Sequence, residues 1–186
     1  KDIKGLLMKN INESTIFSRR SIRSFIKEKK VEQEKIDILL RAAMQAPSAC
    51  NKQPWEFLVL DDEEIIDSIA PIDRHYVLAS LAPLVIIVLG NEKTTYRSEN
   101  GLAWYPQDLS ASIQNILLQA AELGLGSVWI GTYPDEKRIQ GLKKHFNMPE
   151  NITPFAVIAI GYSKDKHKFI TDLTAQKFII ININKI

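Results

Sequence analysis

Residues 107–123 place Leu109, Ile113, Ile116, Leu117, Ala120 and Leu123 at helical spacing, and Ala111 and Ala121 widen the apolar surface beyond one stripe. A helix this broadly apolar must be covered from more than one side. It belongs either at the centre of one chain's core or between two chains. Gly124 and Gly126 end it, and 127–130 reads as a strand that leaves through Gly131. The rest of the chain must therefore supply layers around this helix.

Strands are expected at 55–60, bounded by Pro54 and the pair Asp61 and Asp62, and at 84–89 and 154–160. Ile36, Leu39, Leu40, Ala43 and Met44 predict a helix that Pro47 stops, and 63–70 and 135–146 predict two more. A short opening helix is expected around Leu6, Leu7 and Met8, with Asn12 or Ser14 as the cap of a second that reaches the arginines. The pattern at 74–80 fits neither period, and 91–105 is polar and aromatic, as in a long loop over a site. At the end, Ile181 and Ile183 alternate with Asn182 and Asn184, a strand with one apolar face. The architecture this implies is α+β or mixed α/β, with about four core strands.

A length of 186 residues fits a single domain spanning 1–186. No apolar run is long enough to span a bilayer, so a cytoplasmic protein without a membrane partner is expected. With 24 basic and 22 acidic residues, the net charge of +2 creates no global field for nucleic acid. A lone cysteine, Cys50, excludes an internal disulfide framework, and His75, His145 and His167 lack metal-ligand spacing, so no metal is expected.

Against that neutral background, "SRRSIRSF" at 18–25 concentrates charge. Arg19, Arg20, Ser21 and Arg23 combine forked donors with a hydroxyl, suited to a phosphate but equally to a solvated basic turn. Ile22 and Phe25 suggest extended geometry, which would put Ser21 and Arg23 on one face. "APSACNKQPW" at 46–55 offers Ser48, Asn51 and Gln53 between Pro47 and Pro54. Those groups could read the edge of a planar heterocycle, or simply line a helix-to-strand loop. "GLGSVWIG" at 124–131 is no dinucleotide fingerprint, because its third glycine position is Trp129 and its glycines follow a helix.

Together with "QDLSASIQNILLQAAELGLGSVWIG" at 107–131 and "FAVIAIGY" at 155–162, these two stretches resemble the FMN-dependent nitroreductase family in order and spacing. The resemblance covers about residues 14–162. It implies an α+β, three-layer fold with a central, mostly antiparallel sheet flanked by helices, and a C-terminal extension exchanged between the subunits of a homodimer. FMN would lie at the interface. Arg19, Arg20, Ser21 and Arg23 would hold its ribityl chain, phosphate and one ring edge, with Ile130, Gly131 and Thr132 beside the isoalloxazine. Pro47, Ser48 and Asn51 would come from the partner, with Gln107 near the ring. No arginine follows Arg138, so a late basic contact to the phosphate falls to Lys164, Lys166 or Lys168, of which Lys168 is taken.

The implied chemistry is a ping-pong cycle. NADH or NADPH passes hydride to flavin N5 and departs, and a nitroaromatic, a quinone or a similar flat acceptor then takes the electrons. No acid or base side chain need be assigned. A related flavoenzyme such as a dehalogenase, and a flavin- or nucleotide-binding module without turnover, are the alternatives. Residues 91–105 leave little room for the extra lid segments that dehalogenation or flavin destruction usually needs.

Overall fold

The computed structural model describes residues 14–165. In chain order these form α1 (Thr15–Ser18), α2 (Gln33–Met44), β1 (Trp55–Leu60), α3 (Glu63–Ser68), β2 (Leu84–Asn91), α4 (Tyr105–Glu122), β3 (Gly126–Gly131), α5 (Glu136–His145) and β4 (Ile152–Gly161). The strands form one sheet in the order β1-β2-β4-β3, and every neighbouring pair is antiparallel.

Both central strands are buried on both faces, which is why β2 and β4 read as continuous apolar runs rather than alternating ones. Alternation still decides where each side chain goes. Leu84, Ile86, Val88, Ile158 and Ile160 join α2 and α4 in one core, while Val85, Ile87, Val157 and Ala159 join Ile66, Ile69, Tyr76 and Leu142 in the other. The result is the expected α+β arrangement, an antiparallel sheet between two layers of helix.

Pro154 lies within β4, where a missing N–H would ordinarily break the ladder. The register shifts there: Val88 pairs with Ala156 but Leu89 with Pro154. This bulge skips Phe155, whose carbonyl accepts from both Thr132 N and Tyr133 N at 3.2 and 3.0 Å just beyond β3.

Several boundaries differ from the sequence reading. α3 ends at Ser68, and Pro71 begins a separate short turn at Ala70–Ile72. The unassigned stretch is a 3₁₀ helix, Arg74–Leu81, capped by Asp73 through the amide of His75. α4 starts at Tyr105 because Pro106 fits the first turn, where its lack of an N–H removes no helical bond. Ser14 does precede α1, but its hydroxyl makes no capping bond. The expected helix at 6–8, Asn12, the tail at 178–186 with its proposed exchange, and Lys168 lie outside the described residues.

The arginine segment runs along the outer edge of β3. Ser21 bridges Ser127, with Ile22 N donating to Ser127 O at 2.9 Å, and Ile26 N donates to Tyr162 O at 2.8 Å. Ile22 and Phe25, 5% and 2% exposed, anchor the segment in the core. Gly126 permits this approach, since a Cβ there would lie 2.7 Å from Ile22 Cγ2. Gly126→Ala should therefore cost about 1–3 kcal/mol, the usual range for overpacking a core, measured by urea unfolding.

Candidate functional site

At the N-terminal end of β3, Arg19, Arg20, Ile22, Gly126, Ser127 and Ser163 help line a cleft of about 220 Å3. Burying Ile22 turns its neighbours outward, so Ser21 and Arg23 are both exposed on one face, as extended geometry requires. Arg23 Nη1 makes a 3.3 Å bond to Ser21 O. Among the described residues neither Arg19 nor Arg23 is paired with a carboxylate, which leaves charged donors for an external anion.

Ile130, Gly131 and Thr132 stand at the other end of the same strand, about 13 Å from Ser127 at the usual rise per residue. Ile130 is buried and Gly131 half-buried. A Cβ built on Gly131 would meet nothing within 4 Å, so packing inside this chain does not require glycine there. The open face suits a flat group lying close against the backbone. Thr132 is 1% exposed and its hydroxyl lies 2.8 Å from Tyr76 Oη, which places it behind the strand end rather than on its surface.

The third group of residues lies elsewhere. Pro47, Ser48 and Asn51 belong to the loop that leads into β1, across the sheet from β3 by three strand spacings, or about 14 Å. Within one chain they do not meet the arginines. Cys50, Asn51 and Gln53 all have positive φ, at 51°, 53° and 49°, a conformation that costs an ordinary L-residue about 1–2 kcal/mol. A network holds this conformation in place. Ser48 Oγ accepts from Gln53 N at 3.0 Å, Gln53 Nε2 donates to Asn51 Oδ1 at 3.2 Å, and Asn51 N donates to Ser48 O at 3.0 Å. Strain concentrated in one exposed loop points to a functional role.

Asp108, which the sequence reading did not single out, fastens this loop to α4. Its Oδ1 accepts from Ala49 N at 2.9 Å, while Oδ2 is buried without a hydrogen-bond partner, as is Ser112 Oγ one turn later. The available signal was a carboxylate inside an apolar helical stripe. Gln107, the residue before it, is exposed beside this loop and not beside the arginines. Burial pushes the Asp108 carboxyl up, against the opposing effect of the Ala49 amide.

A raised folded-state pKa means that the native state binds this proton more tightly than the unfolded chain. The contribution to stability is then greatest below the unfolded pKa and declines as pH rises through the folded one. Asn at this position keeps the acceptor for Ala49 and has no charge to bury. Asp108→Asn should therefore raise Tm more at pH 7 than near pH 4, and Asp108→Leu should lower it at both, as read by thermal melts across pH.

The Nitroreductase family profile matches residues 16–81 and 74–162. A protein from Archaeoglobus fulgidus provisionally named NADH dehydrogenase/NAD(P)H nitroreductase is 40% identical over 154 residues, covering 83% of this chain and 86% of its own. The crystal structure of a provisionally named NADH oxidase from Clostridium acetobutylicum superposes with a TM-score of 0.84 at 46% identity, covering 91% of this chain and 99% of that one. A provisionally named nitroreductase from Desulfovibrio desulfuricans, solved in complex with FMN, gives a TM-score of 0.76 at 28% identity, covering 90% and 95%. This chain belongs to the nitroreductase family of FMN-dependent oxidoreductases. Among the described residues no helix is long and apolar enough to cross a membrane.

Proposed function

We propose that the chain is an FMN-dependent NAD(P)H oxidoreductase acting as a single flavin-binding domain over 1–186, with a small, flat electrophile such as a nitroaromatic or quinone as acceptor. The observation that carries this reading is β3 itself, with an arginine-lined cleft at one end, where no carboxylate among the described residues pairs with Arg19 or Arg23, and an open glycine face at the other. An elongated ligand with an anionic end and a planar end matches that layout. Arg19, Arg20, Ser21 and Arg23 would hold the phosphate end, and Lys168 is retained as a further phosphate contact. Ile130 and Gly131 would carry the ring on the strand's open side, and Thr132 would support them from behind.

The cleft of about 220 Å3 is too small to enclose such a ligand, because pockets for drug-sized molecules run to roughly 300–1,000 Å3. A homodimer completes the site in this reading: the partner's strained loop brings Pro47, Ser48 and Asn51, with Gln107 beside it. FMN, when bound, supplies the two-electron chemistry that links a nicotinamide donor to the acceptor. The chain's own residues bind and orient it, and its amides and guanidiniums stabilise negative charge on the bound group. No side chain is assigned as a general acid or base.

Gly131→Ala and Arg23→Ala both remove a ligand feature without removing a packing contact. Each should leave apo stability within about 0.5 kcal/mol, typical of substitutions away from the core, yet weaken FMN retention after desalting. Full retention by both variants would sink the flavin reading. A wild-type protein that binds FMN but leaves it oxidised under anaerobic NADH and NADPH would be a binding module.

The two-chain site makes its own prediction. When Arg23→Ala and Asn51→Ala proteins are unfolded, mixed and refolded, each heterodimer should hold one intact site and one doubly altered site. Flavin occupancy should recover to about a quarter of wild type, as random pairing of a two-fold dimer gives. No recovery would assign both residues to the same chain's site.

A further inference from the structure

Gly131 raises a physical difficulty. The residue that leaves room for a ring is also the one with the freest backbone, and a mobile peptide would be a poor support. The structure surrounds this peptide with bonds. Arg138 Nη1 donates to Gly131 O at 2.8 Å, Thr132 N donates to Phe155 O at 3.2 Å, and Asp135 N donates to Thr132 O at 2.9 Å. The Thr132 hydroxyl is held by Tyr76.

Arg138 is the member of this set that grips the Gly131 carbonyl itself and links it to two further elements. It extends from α5, and behind it Nε lies 3.3 Å from Asp73 Oδ2 while Nη2 lies 2.6 Å from His75 Nδ1. Asp135 Oδ2 is a further 3.5 Å neighbour of Nε. Asp73 is itself fixed, accepting from His75 N at 2.9 Å and touching His75 Nδ1 at 2.6 Å. Burial alone would raise its carboxyl, but the His75 bonds and the Arg138 charge outweigh it and bring it down to about 2. Asp73 is therefore a charged, anchored base for the guanidinium. The 3₁₀ helix Arg74–Leu81, whose role no sequence pattern revealed, carries His75 and Tyr76 to the rear of the strand end.

We infer that Arg138 is a positioning residue for the flavin: by holding the Gly131 carbonyl against the Asp73–His75 anchor, it fixes the plane of the glycine peptide on which the ring rests. This inference depends on the flavin reading of the site. A guanidinium is suited to the task because its fork can serve Gly131 and Asp73 together, whereas the single nitrogen of lysine cannot.

The test uses full-length protein reconstituted with FMN, in wild-type form and as Arg138→Lys and Arg138→Met. FMN affinity is measured by flavin fluorescence, ring seating by visible circular dichroism of the bound flavin, and folding by melts of the apoprotein. Arg138→Met should weaken FMN binding about tenfold, the scale of one charge-assisted hydrogen bond, and should change the visible dichroism at saturating FMN. Arg138→Lys should keep the charge and fold, yet reproduce most of both changes. Wild-type affinity and dichroism in Arg138→Lys would overturn the inference, whatever the melts show, and this variant decides the matter if Arg138→Met does not fold. Failure of the wild type to bind FMN would instead overturn the flavin reading on which the inference stands.

Discussion

The fold depends on the burial of β2 and β4 on both faces. Residues 84–90 and 152–161 are buried throughout, so neither strand can stay in the sheet unless helices cover both sides. That requirement brings α2 and α4 to one face, and α3, the 3₁₀ helix Arg74–Leu81 and α5 to the other. It also makes the β3 edge a rigid platform. A site built along it inherits the precision of a packed strand, which an exposed loop alone would lack.

Two solutions to the same problem appear in the candidate site. Each needs a solvent-accessible backbone segment in a definite shape, and each is held by an ionisable side chain from a neighbouring helix, buried at Asp108 and part-buried at Arg138. Asp108 of α4 captures the Ala49 amide and supports the left-handed residues at 50, 51 and 53. Arg138 of α5 captures the Gly131 carbonyl and supports a glycine. The donor–acceptor roles are reversed because one segment presents an N–H and the other a C=O. In both, a short charged contact restricts backbone freedom that the segment's own residues cannot restrict.

Much of this was legible beforehand. The four strands, α2, α4 and α5 follow from apolar period and from proline and glycine boundaries, since those signals are local. The outward pairing of Ser21 with Arg23 was readable from Ile22 and Phe25 for the same reason. What stayed hidden was non-local. The 74–81 stretch has no helical or strand period, because it is held by Asp73 and Tyr76 reaching residues far along the chain. Asp108 and Arg138 are single polar residues whose importance comes from which backbone atom they meet.

By itself, the sequence determined the composition of the layers. Which segments are strands, which helix is broadly apolar, where cationic donors cluster and where glycine replaces a side chain are properties of short windows and of side-chain chemistry. Only the tertiary structure decided the pairing: that β4 inserts between β2 and β3, that the arginine segment lies beside the strand that ends in Gly131, and that the Asn51 loop lies across the sheet from both. Strand order and edge-to-edge distance result from burying all the apolar faces at once, and no local window contains that sum. The same global packing leaves the arginine cleft small and sets the Asn51 loop at the far edge of the sheet from it.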